Sequence, residues 1–149
     1  MTVRLRRRIK GLSIAAAMTT AALVSTTAPA QAATGWTTIL SQDGSHVLAC
    51  KRAVTGPFGP LWEITLGALT APGYGASGSA TVLRSGKQVA KTSVSARDGQ
   101  WNFTTIHASR LLPDKVDFTG GFSVTSIPGS GGGGSTGPKN PATYLATCA

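Results

Sequence analysis

Between residues 61 and 70 apolar and other positions alternate one for one. Trp62, Ile64, Leu66 and Ala68 stand against Glu63, Thr65, Gly67 and Leu69. A period of two is the mark of a strand with one buried face, and the length suits a central strand. Residues 78–104 hold three further runs rich in Val and Thr, separated by Ser85-Gly86 and Asp98-Gly99. Asp-Gly favours the tight hairpin turn in which both central residues have φ > 0, so the runs predict an antiparallel meander. Two-residue turns put Leu83 opposite Gln88, Thr81 opposite Ala90, Ala96 opposite Trp101 and Val94 opposite Phe103. One face then carries Thr81, Leu83, Ala90, Val94, Ala96, Trp101 and Phe103. The other carries Lys91, Ser93, Ser95, Asn102 and Thr104, a wet surface.

Around this centre the signals are shorter. Residues 35–40, with Trp36, Thr38 and Leu40 on one side, fit a first strand or a short helix, and residues 45–54 fit a strand. Residues 55–60 contain Pro57 and Pro60 and predict a stiff turn. Residues 71–77 predict a loop with Tyr74 near its tip, and residues 108–113 a crossing. Residues 115–127 predict one strand with a bulge at Gly120-Gly121. The glycine-rich residues 128–138 predict a flexible loop, and the Thr- and Tyr-containing residues 142–149 a closing strand. The sum is all-β: seven or eight strands in a single antiparallel β-sandwich.

The central stretch resembles one half of the immunoglobulin-like domains of bacterial secreted and surface proteins. The matching positions are Gly86, Val89, Val94, the run Asp98-Gly99-Gln100-Trp101-Asn102-Phe103, Leu112-Pro113 and Phe122-Ser123-Val124. The resemblance covers residues 78–126, about a third of the chain. Lys115-Val116-Asp117-Phe118 departs from the Gly-Thr-Tyr step usual in those repeats, and there is one copy rather than a tandem. It implies an immunoglobulin-like fold and an interaction role, with no catalytic residues to carry over.

The N-terminus changes how charge is read. Arg4, Arg6, Arg7, Arg8 and Lys10 precede an apolar run over residues 11–24, followed by small residues up to Ala32-Ala33. This is the pattern of a bacterial secretory signal peptide, residues 1–32, leaving a domain over residues 33–149 with no integral membrane anchor. The apolar run is shorter than the roughly 20 residues a membrane span needs. No Cys follows the cleavage site, which argues against lipoprotein processing. The whole chain has 14 Lys+Arg against 5 Asp+Glu, a net charge of +9. Five of those bases and none of the acids leave with the leader, so the working net charge falls to +4. The remaining bases are scattered rather than clustered, which argues against nucleic acid as a partner.

Cys50 and Cys148 are the two cysteines. In an exported chain such a pair predicts a disulfide tying an early strand to the tail. No nearby His joins them, so metal and thiol chemistry are not expected.

Catalytic signals are weak throughout. Gly133-Gly134-Ser135-Thr136-Gly137 spells G-x-S-x-G inside a glycine tract with no helix to form the required elbow. Five scattered acids suggest no carboxylate pair, and His46 and His107 lie far apart without a third ligand. Asn102-Phe103-Thr104 spells a glycosylation sequon, which a bacterial chain would leave as a plain strand Asn. No enzyme activity, cofactor or metal is therefore expected.

The aromatic residues divide in two. Trp62, Trp101 and Phe103 fit the core. Trp36, Phe58 and Tyr74 lie in loops or near the N-terminus and are the candidate ligand or partner surface, although rim packing is the commoner fate of such rings. The expected function is an extracellular, non-enzymatic, monomeric module that binds a glycan or a protein. The alternative is a secreted protease inhibitor acting through residues 54–60.

Overall fold

The computed structural model describes residues 35–149; the leader expected over residues 1–32 lies outside them. Eight strands and one short helix follow in order: β1 (Thr37–Gln42), β2 (Ser45–Gly56), β3 (Gly59–Leu69), β4 (Tyr74–Arg84), β5 (Lys87–Arg97), β6 (Trp101–Ser109), β7 (Lys115–Val124), β8 (Gly132–Ser135) and α1 (Pro141–Tyr144). They form two four-stranded antiparallel sheets, β1-β2-β3-β6 (sheet A) and β5-β4-β7-β8 (sheet B). The β-sandwich expected from the sequence is present. Its strand order differs from that of a constant-type immunoglobulin domain, in which the second strand pairs with the fifth.

The core lies between the sheets. Sheet A contributes Val47, Ala49, Ile64, Leu66, Ala68, Ile106 and Ala108, and sheet B contributes Ala76, Ala80, Val82, Val94, Ala96, Val116, Phe118 and Phe122. The alternation in β3 holds as read: Ile64, Leu66 and Ala68 are buried, with Trp62 packed partly against them. Three Xaa-Gly turns close with positive φ at both central residues, at Asp43-Gly44, Ser85-Gly86 and Asp98-Gly99. Short polar side chains and glycine adopt this left-handed region at low steric cost.

Several local expectations fail for identifiable reasons. In the β4–β5 hairpin Leu83 does pair with Gln88, but Val82 pairs with Ala90, leaving Val89 as an extra bulged residue. One extra residue reverses the parity of the pairing, so Ala80 and Val82 are buried in place of Thr81 and Leu83. Asp98-Gly99 does form its turn, but the strands on either side join different sheets, β5 against β4 and β6 against β3. In β6 the even positions Ile106 and Ala108 face inward. Trp101 and Phe103 are then 45% and 71% exposed, not core residues.

At the edges, β1 is a strand with a bulge at Ile39, so Thr38 and Leu40 pair from opposite faces of the sheet. Tyr74 begins β4 and is not a loop residue. No bulge interrupts β7: Gly120 pairs with Gly78 on one side and Gly134 on the other, in unbroken register.

The glycine tract is not a plain loop either. Residues 132–135 form β8, whose glycines answer those of β7. A Cβ on Gly133 would lie 2.6 Å from the Gly120 carbonyl oxygen, so the close approach needs hydrogen in that position.

The tail closes one side of the sandwich through a helical turn in place of the expected strand. Lys139 exchanges backbone hydrogen bonds with Val116 of sheet B. Asn140 caps α1 by accepting a bond from the Ala142 amide, and Pro141 and Leu145 are buried below it. Thr147 then bridges to Lys51 of sheet A. The tail thus spans both sheets. Cys148 closes it with a disulfide to Cys50, across a Cα–Cα distance of 5.0 Å.

Lys51 is 7% exposed, and its ammonium group donates to the carbonyl oxygens of Ala142 and Leu145. The ammonium also lies 5.3 Å from the centre of the Trp62 ring. Burial lowers its pKa from the ordinary 10.5.

Candidate functional site

The outer face of sheet A follows from the strand register. Alternate residues of β2, β3 and β6 point away from the core and line up in rows. His46, Leu69 and Trp101 form one row, and Leu48, Gly67 and Phe103 the next. Cys50, Thr65 and Thr105 follow, then Arg52, Glu63 and His107.

Aromatic rings gather over the row that lacks a side chain in its middle. Trp36, just ahead of β1, meets Trp101 edge to face with ring centres 5.7 Å apart. A Cβ on Gly67 would lie 3.7 Å from both the Trp36 Cζ3 and Trp101 Nε1 atoms, so the two indoles rest on the bare backbone there. Phe103 stands beside Gly67 in the register. The result is an aromatic floor of two indoles and a phenyl ring, with Trp101 and Phe103 exposed and Trp36 half-buried, on a sheet face that also carries Leu69 and the buried Leu48 and Cys50.

Polar groups flank this floor. Thr65 and Thr105 supply hydroxyls one row away. Beyond them Arg52 donates to Glu63 Oε1, and His107 Nε2 lies 3.5 Å from Glu63 Oε2. Arg52 is largely exposed and Glu63 half-buried, so the pair is an exposed ion pair that contributes little to stability. Its donors and acceptors remain within reach of solvent.

His46 and His107 both point outward but lie six residues apart along β2 and β6, about 20 Å, and do not meet. Among the described residues no group of three His, Cys, Asp or Glu could hold a metal ion. None of their helices is long and apolar enough to cross a membrane.

The three residues singled out as a surface are dispersed. Trp36 is in the aromatic floor. Phe58 is the tip of the β2–β3 hairpin and 97% exposed, while the ring of Trp36 sits over Gly67, eight positions along β3 from Gly59. Tyr74 begins β4 in the other sheet, where its carbonyl accepts from the Asp98 amide. Trp36 instead meets Trp101, and Phe103 stands one row on along β6. One signal for them was available: in β6 the apolar positions are odd at the start (Trp101, Phe103) and even at the end (Ile106, Ala108). In an unbroken strand one of these sets must face solvent.

Residues 54–60 form a tight hairpin. Gly56 pairs with Gly59, leaving only Pro57 and Phe58 in the turn.

No family model, curated protein or solved structure matches the chain.

Proposed function

We propose that this protein is an exported, non-enzymatic binding module that takes a glycan chain on the outer face of sheet A. The observation that carries the reading is the aromatic floor: Trp101 and Phe103, 45% and 71% exposed, beside Trp36 over the bare backbone of Gly67. An exposed ring offers its negative face to the C–H groups of a sugar ring, a contact that water does not compete for. A sugar also needs hydrogen-bond partners at its edge, and Thr65, Thr105, Glu63 and Arg52 stand in the neighbouring rows. The outward rows that follow one another along β3 and β6, beside the Cys50–Cys148 bridge, suit several sugar units in line better than one enclosed small molecule.

Export is supported by the leader pattern and by the Cys50–Cys148 disulfide, which belongs to an oxidising compartment. Protease inhibition finds less support. An inhibitory loop offers an extended segment to the protease cleft, and here a two-residue turn stands between paired strands.

The test uses the chain from residue 33 onward, which holds every strand of the sandwich and both cysteines. It is run through native gels cast with soluble polysaccharides, both neutral and acidic. Retardation by at least one polysaccharide is expected, and Trp101→Ala and Phe103→Ala should each weaken it about tenfold while leaving the circular dichroism unchanged. Mobility unaffected by every polysaccharide, or retardation that both variants keep, overturns the proposal.

A further inference from the structure

A second exposed apolar feature lies away from the aromatic floor, at the end of the sandwich opposite Asp43 and Asp98. Phe58 at the β2–β3 tip is 97% exposed, and Leu111 and Leu112 in the β6–β7 connection are 73% and 46% exposed. They form one patch. A Cβ on Gly59 would lie 3.6 Å from Leu111 Cδ1, and the Arg110 amide donates to the Pro60 carbonyl at 3.1 Å.

The fold holds these side chains outward. The Ser109 hydroxyl accepts from the amides of Leu111 and Leu112 at 3.2 and 3.1 Å. Asp114, 5% exposed, accepts from the Ser109 amide at 2.7 Å and takes a two-pronged bond from Arg84 at 2.8 and 3.0 Å. Three large apolar side chains fixed in water on two tethered loops bring the fold nothing by themselves. Such exposure is the mark of a partner.

Charge and shape select the partner. Three acids lie toward this end: Asp114 is paired with Arg84 and Glu63 with Arg52, while Asp117, two residues along β7 from Lys115, accepts from the Ser135 hydroxyl. At the same end Lys87 and Lys115 begin β5 and β7, and neither they nor Arg110, whose guanidinium lies 4.7 Å from the centre of the Trp62 ring, has a carboxylate within ion-pair distance among the described residues. The acids Asp43 and Asp98 sit in turns at the far end. This end is therefore apolar at the Phe58 and Leu111 tips, with Arg110, Lys87 and Lys115 the bases around it. Pro57 lacks an N–H, and Gly56 pairs with Gly59, so the tip brings little unpaired backbone into an apolar medium.

We propose that this end of the sandwich docks on an anionic lipid bilayer. Phe58 and Leu111 enter the boundary between headgroups and acyl chains, and Arg110, Lys87 and Lys115 meet the headgroups. The surface is separate from the glycan face and stands whether or not that face binds sugar.

Co-sedimentation of the chain from residue 33 onward with vesicles tests this. One set is phosphatidylcholine alone, and the other holds about 30% phosphatidylglycerol, each at low salt and at about 0.5 M salt. Binding is expected only with the anionic vesicles at low salt. Phe58→Ser with Leu111→Ser should weaken it about tenfold or more, and Arg110→Ser with Lys87→Ser several-fold, while Trp101→Ala leaves it unchanged. All substituted positions are exposed, and an unchanged melting temperature verifies the fold. The proposal is overturned by absence of binding to anionic vesicles, or by equal binding of the Phe58/Leu111 variant. It is equally overturned if that variant abolishes self-association in solution while lipid binding is absent, because the end would then cover a second copy of the chain.

Discussion

Replacing Cys50 and Cys148 together by Ala removes the covalent tie between β2 and the tail while leaving every other tail contact available. The bridge closes a loop of 98 positions. In the chain-entropy account, loss of a cross-link of that span frees the unfolded chain by about 4–5 kcal/mol. For a domain of this size each kcal/mol moves the melting temperature by about 4 °C, so a fall of roughly 15–20 °C is expected. The native tail keeps its other bonds. The Lys51 amide donates to the Ala146 carbonyl and the Cys148 amide position to the Lys51 carbonyl, both at 2.9 Å, and Leu145 stays in the core. Because the effect lies in the unfolded state, urea titration followed by tryptophan fluorescence should show a lower midpoint and a slightly larger m-value, as the uncrosslinked chain exposes more surface. A loss below about 1 kcal/mol would refute the reasoning, since docking of the tail would then be secured by α1 and the Lys51 bonds alone.

Three further outcomes follow from the core and the buried charges. Gly78→Ala places a methyl group 2.8 Å from Val47 Cγ1, so urea titration should show a loss of about 1–3 kcal/mol; adding Val47→Ala should cost less in that background than alone. Asp114→Ala removes the acceptor of Arg84 and of the Ser109 amide and should cost about 2–3 kcal/mol at neutral pH. The Arg84 bonds hold the Asp114 carboxyl below its ordinary value, so its contribution is complete above the unfolded carboxylate range and disappears as pH falls through the folded pKa. The variant should therefore show a flatter acid limb in stability against pH. Lys51, lowered by burial, binds fewer protons folded than unfolded at pH values just below 10.5, so wild-type stability should rise with pH there. Lys51→Met should remove that slope, as read from urea midpoints at alkaline pH.

Where a strand has one apolar face and no irregularity, the pattern was enough. The alternation of β3, the Ser85-Gly86 and Asp98-Gly99 turns and the Cys50–Cys148 pair are all local or compositional signals, and each is present in the fold. A single bulged residue, Val89, was enough to reverse the predicted face of β4, because nothing local announces which residue is extra. The candidate site was hidden for a related reason. Trp101 and Phe103 look like core residues in a strand that begins apolar on odd positions, and only pairing with β3 assigns the odd face to solvent. Trp36, Phe58 and Tyr74 were visible as unusual residues, but sequence distance held no information on which of them meet.

The chain alone determined the class of fold, the places where it turns and the pair of residues that could lock its tail, because these depend on side-chain period, φ preference and composition. The assignment of each strand to a sheet, and of each face to core or water, was decided in three dimensions. The glycines show why. Gly78, Gly120, Gly133 and Gly134 read as flexibility in a string of letters. In the fold Gly78 meets Val47, Gly120 and Gly134 meet Leu40, and Gly133 meets the backbone of Gly120. A missing side chain has meaning only once its neighbours across the sheets are known.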